Sequence, residues 1–317
     1  MQQYDLIVIG GGPGGAEAAA IGAAQGLSVA LIENRQLGGT CLNRGCVPTK
    51  CLCAAAERIL EIKGSGEFGI AVDGFSADFS AAHQRAERIV GELREDVASK
   101  LSGVDVINGS ARLGEARTVA TESGFLKGRR IIIATGSKPI TLPIEGAELM
   151  LDSDAFLQLD TLPESLTVIG GGVIGLEFAS VAAAYGCKVT VVERCREILP
   201  GMDAEVAKRL RSYLSRRGVA FIVGATVHSV KRTDSGSLLV SYEAKGKEGS
   251  VESVAVLGAP GRRACLPEGL EAAGVSLNPR GFIDVDDSYR TSAEGVYAIG
   301  DVTAVACSPM PPRPRRG

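Results

Sequence analysis

Cys41 and Cys46, separated by four residues in the segment GGTCLNRGCVPTK, are the residues of this chain best suited to redox chemistry. Gly38 and Gly39 precede the pair, and Lys50 follows it at the predicted start of an alanine-rich helix. A helix N-terminus and a nearby cation both favour the thiolate, which is the form of cysteine that attacks a disulfide. Two such thiols beside a redox cofactor could pass electrons to or from an external disulfide. Two buried structural cysteines would show the same spacing.

A gapless internal repeat surrounds this pair and predicts the elements that position it. Residues 5–33 read DLIVIGGGPGGAEAAAIGAAQGLSVALIE, and residues 165–193 read SLTVIGGGVIGLEFASVAAAYGCKVTVVE, at a constant offset of 160. Each copy predicts an apolar strand, a glycine turn, an alanine-rich helix ended by glycine, a second strand and a terminal acid. The matched residues are Gly10, Gly12, Gly15, Gly26 and Glu33 in the first copy and Gly170, Gly172, Gly175, Gly186 and Glu193 in the second.

This pattern is the dinucleotide-binding fingerprint in its full strand–turn–helix–strand context. The first glycine permits the tight turn, the second lets a pyrophosphate approach, and the third lets the helix pack on the strand, while the helix N-terminus offers N–H groups to the phosphates. A single glycine motif could be an ordinary turn, but two complete copies predict two dinucleotide sites. A carboxylate at Glu193 accepts a hydrogen bond from a ribose 2′-hydroxyl and repels a 2′-phosphate, which favours NAD over NADP. Because the adjacent Arg194 is positively charged, NADP stays an alternative for this site.

Composition excludes several classes of protein. The 317 residues suffice for about two domains, and 45% hydrophobic with 22% charged residues excludes a disordered chain. A net charge of −3 gives no reason to expect a nucleic-acid or acidic-membrane surface. The sequence contains no apolar run long enough to span a membrane, so we expect the eight cysteines to lie in a reducing cytoplasm. The two histidines, His83 and His228, are far from the cysteine pair, so no metal site is predicted.

The remaining elements follow from periodicity and turn residues. Helices are predicted near 50–63, 76–101 and 203–217, strands near 104–121 and 219–242, and a strand and turn at 131–137. Residues 304–317, AVACSPMPPRPRRG, show no periodicity and are predicted to be an unstructured tail.

From residue 4 to about 303 the chain resembles the flavin-dependent pyridine nucleotide–disulphide oxidoreductases and, among them, the dihydrolipoamide dehydrogenases. The motifs that carry the resemblance are VIGGGPGG, GGTCLNRGCVPTK, ATGS at 134–137, VIGGGVIGLEFA at 168–179 and TSAEGVYAIGD at 291–301. The resemblance implies an α/β protein with two Rossmann-like domains. It predicts an FAD-binding domain at 1–146 and 281–303 that carries the redox disulfide, and an NAD-binding domain at 147–280.

The resemblance also implies residue roles. Cys46 would face the flavin, and Cys41 would exchange with the substrate. Lys50 and Glu177 would form an ion pair near the reactive nitrogen of the flavin, although Glu177 also fits an ordinary exposed helix position. The residues implied for FAD are Gly10, Gly12, Gly15, Glu33, Lys50, Ala111, Thr135, Gly136, Ser137 and Asp301. Those implied for NAD are Gly170, Gly172, Gly175, Glu177, Glu193, Val227 and Gly261.

The implied reaction passes electrons from dihydrolipoamide through the Cys41–Cys46 disulfide and FAD to NAD⁺. The implied partners are lipoyl-carrier proteins of 2-oxo acid dehydrogenase or glycine-cleavage complexes. A glutathione- or mercuric-type disulfide reductase is an alternative within the same family.

The family continues beyond the GD motif into an interface domain that builds a homodimer and supplies an acid–base histidine. This sequence stops before it, so we expect the dimerisation domain to be missing. Out-of-frame reading of residues 307–311 can encode a run like the family's continuation, and a frameshifted gene is therefore our hypothesis. The alternative of another class is a truncated product that binds nucleotides without disulfide turnover.

Overall fold

The computed structural model describes residues 1–303, which form two compact units. The first contains residues 1–46, 89–138 and 262–303, and the second contains residues 47–88 and 139–261. These bounds differ from the predicted domains chiefly at residues 47–88, which fall in the second unit. The reason is packing: Leu52, Ala56 and Phe79 are buried in the core of the second unit.

Seven α-helices occur within the described residues. They are α1 (Pro13–Ala24), α2 (Gly39–Arg44), α3 (Cys46–Gly64), α4 (Phe79–Lys100), α5 (Ser153–Phe156), α6 (Val173–Ala184) and α7 (Ala204–Ser215). Glycines with positive φ follow α1 and α6, Gly26 at 80° and Gly186 at 97°, as helix C-termini favour.

The described residues contain sixteen strands. They are β1 (Gln2–Ile9), β2 (Val29–Glu33), β3 (Val104–Asn108), β4 (Arg112–Leu113), β5 (Thr118–Thr121), β6 (Gly124–Ile133), β7 (Ser137–Pro139), β8 (Ser165–Ile169), β9 (Lys188–Glu193), β10 (Val219–Val223), β11 (Ala225–Arg232), β12 (Leu238–Ala244), β13 (Lys247–Ser253), β14 (Ala255–Gly258), β15 (Arg262–Ala264) and β16 (Val296–Ala298).

The first unit is built on a seven-stranded sheet in the order β3-β2-β1-β6-β5-β4, with β16 also paired to β6. The pairs among β1, β2, β3, β6 and β16 are parallel, and β4 and β5 add an antiparallel extension. Because parallel strands point the same way, the turns after β1 and β6 and the turn after β16 meet at one edge of the sheet.

The second unit contains a parallel four-stranded sheet, β10-β9-β8-β14, and an antiparallel three-stranded sheet, β11-β12-β13. Helix α6 crosses between β8 and β9 and buries Leu176, Phe178 and Val181. The buried ring of Phe178 packs on Phe156, with ring centroids 4.5 Å apart.

The two sequence repeats fold with the same register. Leu6 pairs with Val29 in the first copy, and Leu166 pairs with Val189 in the second, so the offset of 160 relates both partners. Strands β2 and β8 are almost wholly buried, as expected for parallel strands covered on both faces.

The structure confirms the α/β class and the predicted long helices, which occur as α3, α4 and α7. Sequence periodicity missed the short helix α2 and the strand β13. The predicted unstructured tail, residues 304–317, lies outside the described residues. No helix within residues 1–303 combines the length and apolarity needed to cross a membrane.

Candidate functional site

The first glycine turn is shaped so that two of its glycines cannot carry a side chain. Gly10 has a φ of 106°, and a Cβ there would lie 2.4 Å from the carbonyl oxygen of Ala134. A Cβ on Gly15 would lie 1.9 Å from the oxygen of Gly10. Gly12, by contrast, is the N-cap of α1, and a Cβ there would meet no atom closer than 4.0 Å. The first turn of α1 therefore presents its N–H groups beside open space, which suits a pyrophosphate.

The second glycine turn repeats this geometry. A Cβ on Gly170, at a φ of 117°, would lie 2.3 Å from the oxygen of Ala259, and one on Gly175 would lie 2.2 Å from the oxygen of Gly170. Gly172, the N-cap of α6, has nothing within 4 Å of a Cβ position. The second unit thus has its own helix N-terminus open to a phosphate.

The terminal acids of both repeats are held by backbone N–H groups, a contact that the sequence analysis did not anticipate. Glu33 accepts hydrogen bonds from Gly11 N at 2.7 Å and Arg35 N at 2.8 Å. Glu193 accepts from Gly171 N and Cys195 N, each at 2.6 Å. Both carboxylates are buried, and their fixed positions at the ends of β2 and β9 leave lone pairs that can accept from a ribose hydroxyl.

The segments after β6 and β16 meet in the first unit. Ser137 Oγ donates to Asp301 Oδ2 at 2.7 Å, which ties the ATGS turn to the GD motif. Arg262, which the sequence analysis missed, donates to Ser137 Oγ at 2.8 Å and to Ser137 O at 2.7 Å. Thr135 Oγ1 is buried and has no hydrogen-bond partner. A buried hydroxyl without a partner is costly, so a polar ligand atom fits this turn.

The remaining residue implied for FAD in this part of the chain, Ala111, is half-buried, and Gly136 has a φ of 70° with open space at its Cβ position. Together with the open N-terminus of α1, the carboxylate of Glu33 and the unpartnered Thr135 hydroxyl, these residues fit a bound dinucleotide.

The cysteine segment is joined to the first glycine turn. Gly38 N donates to Gly11 O at 2.8 Å, and a Cβ on Gly39 would lie 2.6 Å from the Cα of Gly12. Helix α2 carries the half-buried Cys41, and the exposed Cys46 begins α3. The backbone geometry therefore places α2 directly against the proposed pyrophosphate site.

Asn43 fixes the start of α2, and the sequence analysis did not single it out. Its Nδ2 donates to the carbonyl oxygens of Leu37 and Gly39, each at 2.9 Å. Its Oδ1 accepts from Arg94 Nε on α4 at 2.9 Å. A short polar side chain between the two cysteines was the available signal.

Lys50 and Glu177 form an ion pair within the second unit. Lys50 Nζ on α3 lies 2.7 Å from Glu177 Oε1 on α6, and the two side chains are 60% and 27% exposed. The ion pair is the contact that the resemblance implies for Glu177, and its role near a flavin stays a prediction.

Three of the described cysteines outside the pair, Cys53, Cys187 and Cys195, have thiols of raised pKa. Burial raises the pKa of the Cys187 thiol to about 11. Burial is also the main cause of the raised pKa of Cys53, and the negative charge of Glu177 is the next. The pKa of Cys195 is raised mainly by burial and then by its hydrogen bond with Glu193. Raised pKa values keep these thiols protonated near neutral pH.

The other sequence-predicted positions are spread over the second unit. Val227 is half-buried on β11, and Gly261 has a φ of 130° with Ile140 Cδ1 at 3.7 Å from its Cβ position. His83 Nε2 donates a hydrogen bond to Leu157 O at 2.6 Å. His228 lies with Glu243 and Glu248, their ligand atoms within 4.8 Å of one another, on the exposed face of the three-stranded sheet.

Comparison with known proteins agrees with this geometry. A family model described as pyridine nucleotide-disulphide oxidoreductase matches residues 4–315. The dihydrolipoyl dehydrogenase of Geobacillus stearothermophilus is 37% identical over 308 residues, covering 95% of this chain and 65% of that protein. The protein of the same name from Acholeplasma laidlawii is 37% identical over 310 residues, covering 95% of this chain and 90% of that protein.

A solved structure of the HOCl-induced flavoprotein disulfide reductase RclA from Escherichia coli matches with a TM-score of 0.84 and 32% identity. The match covers 96% of this chain and 68% of that one. The same reductase has also been solved as a Cu(II) complex, with a TM-score of 0.84.

Two Rossmann-like units, the first with a cysteine segment attached to its glycine turn, match the architecture that the sequence resemblance implies. The chain belongs to the pyridine nucleotide-disulphide oxidoreductase family, whose members are oxidoreductase enzymes that use FAD and NAD(P). It spans about two thirds of the length of the Geobacillus and Chlamydia muridarum relatives, 65% and 66%.

Proposed function

We propose that this chain oxidises dihydrolipoamide with NAD⁺, using FAD on the first unit, NAD on the second and the Cys41–Cys46 pair as the exchanging disulfide. The contact that supports this most is the hydrogen bond from Gly38 N to Gly11 O at 2.8 Å, which attaches the cysteine segment to the glycine turn implied for FAD.

The reaction balances as a two-electron transfer. A substrate thiolate attacks the sulfur of Cys41 in the oxidised pair, so the Cys41–Cys46 bond breaks and Cys46 leaves as a thiolate. The second substrate thiolate then displaces Cys41, which forms the cyclic disulfide of lipoamide and leaves both cysteines reduced. When bound, FAD would supply the acceptor for these two electrons and NAD⁺ would leave as NADH. Of the two hydrogens of the substrate thiols, one would appear in NADH and the other would be released to solvent as a proton.

The residues of the first unit would hold and orient FAD. The N–H groups at the start of α1 bind the pyrophosphate, Glu33 accepts from the adenosine ribose, and Thr135 Oγ1 gains the partner it lacks. Asp301, held by Ser137 at 2.7 Å, binds the flavin side chain.

The second unit would hold NAD in the same way. The start of α6 binds the pyrophosphate beside Gly172, and the buried carboxylate of Glu193 accepts from the 2′-hydroxyl. A 2′-phosphate would meet the same negative charge, so the chain favours NAD over NADP. The Lys50–Glu177 pair is assigned to tuning the reactivity of the flavin, as the family resemblance implies.

Lipoyl-carrier proteins are the proposed source of the substrate, because the dihydrolipoyl dehydrogenase relatives imply them. The similarity to RclA supports a disulfide substrate of another kind as the second candidate. The two candidates share the cysteine pair and differ in the substrate that Cys41 meets.

Steady-state assays of the purified, FAD-supplemented chain test the proposal. Reduction of lipoamide by NADH, lost in Cys41→Ser, supports it. Reduction of glutathione disulfide with NADPH in preference to lipoamide with NADH would favour the other reductase type. Reduction of ferricyanide by NADH without turnover of any disulfide would favour the nucleotide-binding product.

A further inference from the structure

An arginine-lined cleft in the first unit has none of the residues implied for FAD in its lining. Its volume is about 520 Å³, and Arg117, Arg129, Arg130 and Arg290 line it together with residues 291–297. The cleft lies at the amino end of β16, whereas Thr135 and Asp301 follow the carboxyl ends of β6 and β16. Since β6 and β16 are parallel, the cleft and the proposed FAD site are at opposite edges of the sheet.

The charge of this cleft is strongly unbalanced. Its lining residues include four arginines and a single acid, Glu294. Outside the cleft, the charge of Arg129 also reaches Asp5, where it adds to the hydrogen bonds from Ser28 that are the main cause of a lowered pKa. Arginines gathered without matching acids repel one another, and a bound anion removes that cost.

Arg117 carries the most specific sign of a ligand. Its Nε is buried and has no hydrogen-bond partner, and its Nη1 lies 3.5 Å from Glu294 O, at the limit of a hydrogen bond. Gly295 makes room for this side chain, because a Cβ there would lie 3.0 Å from Arg117 Cδ. A buried guanidinium N–H without an acceptor leaves a donor for a ligand oxygen.

We infer that this cleft binds a multivalent phosphate-type oxyanion through Arg117, Arg130 and Arg290, with Arg129 adding charge. Guanidinium groups bind phosphate oxygens in a bidentate manner. A volume of about 520 Å³ exceeds the size of one phosphate group and accommodates a pyrophosphate or a small phosphorylated molecule.

Isothermal titration with inorganic pyrophosphate tests this inference on the full chain, with FAD and NAD⁺ in excess so that the glycine turns are occupied. We expect one saturable site that weakens as salt is raised. Arg130→Gln with Arg290→Gln should weaken binding at least tenfold, or about 1.4 kcal/mol. The matched control, Lys208→Gln with Arg216→Gln, removes the same charge from α7 and its C-cap and should change affinity less than about twofold.

Arg290→Lys keeps the positive charge but loses the planar guanidinium that binds an oxyanion through two N–H groups. We therefore expect a loss of affinity smaller than that of the double variant. If the double variant does not fold, the affinity of Arg290→Lys for pyrophosphate provides the test instead. Absence of saturable binding, equal affinity in the cleft and control variants, or no effect of Arg290→Lys in the folded protein would overturn the inference.

Discussion

Lys50 Nζ lies 2.7 Å from Glu177 Oε1, so an ion pair joins α3 to α6 across 127 positions of sequence. The Lys50 side chain is 60% exposed, and ion pairs so exposed contribute at most about 1 kcal/mol to stability. The fold of the second unit therefore depends on its apolar core rather than on this pair. We propose that the pair serves the chemistry of the flavin rather than stability.

Glu177→Gln should separate these two roles. We expect the free energy of unfolding in urea to change by less than about 1 kcal/mol, while the rate of flavin reduction by NADH falls about tenfold or more. Arg209→Gln, which breaks the exposed Arg209–Glu205 pair, is the control and should leave both quantities unchanged. A large loss of stability with a normal reduction rate would show that the pair is structural.

Cys46→Ser should abolish disulfide turnover and retain electron transfer from NADH to ferricyanide. The thiolate is the attacking and leaving group in exchange, and a hydroxyl replaces neither function at neutral pH. Parallel assays with lipoamide and ferricyanide measure the two activities. Cys265→Ser is the control, and equal loss of lipoamide reduction in both variants would contradict the assignment.

Gly172→Ala should weaken NAD binding without unfolding the second unit. A Cβ there meets no protein atom within 4 Å. The free energy of unfolding should therefore fall only by the cost of alanine at an N-cap, about 1 kcal/mol. Gly170→Ala should instead prevent folding, because its Cβ would lie 2.3 Å from Ala259 O. Thermal unfolding and titration with NADH distinguish the two, and unchanged NADH affinity in Gly172→Ala would argue against a pyrophosphate at this helix.

Glu33→Gln and Glu193→Gln should each weaken the binding of a different cofactor. Loss of the Glu193 charge should raise the KM for NADH about tenfold, because hydrogen bonds to charged groups are worth about 1.5–3 kcal/mol. The preference for NADH over NADPH should become smaller, because the charge that repels a 2′-phosphate is gone. Loss of the Glu33 charge should release FAD and leave the KM for NADH of the FAD-saturated protein unchanged. Flavin content after gel filtration and steady-state kinetics provide the measurements, and identical behaviour of the two variants would contradict separate sites.

Alkaline pH should destabilise the second unit through Cys187. Its folded-state pKa is raised by burial to about 11, above the ordinary thiol value of 9.0. The stability it contributes is therefore fully present below pH 9.0 and is lost as the pH rises towards 11. Cys187→Ala should flatten the fall of unfolding free energy over this interval, and an unchanged pH dependence would show that another group is responsible.

The repeat in the sequence predicted most of this architecture because buried parallel strands and glycine turns are local signals. The equal registers of Leu6 with Val29 and Leu166 with Val189 follow from that repeat. Contacts between distant segments were harder to predict. Tertiary packing that no spacing in the sequence encodes produces the hydrogen bonds from Arg262 to Ser137 and from Arg94 to Asn43. It also decides that residues 47–88 belong to the second unit.

Anaerobic reduction of the FAD-loaded chain, first with dithiothreitol and then with NADH, tests the central claim most directly. A long-wavelength charge-transfer band on reduction is the predicted result, because a Cys46 thiolate against the flavin donates to it. The band should be absent in Cys46→Ser. Bleaching of bound FAD without such a band, or a chain that retains no FAD, would contradict the assignment of Cys41 and Cys46 as a flavin-coupled pair.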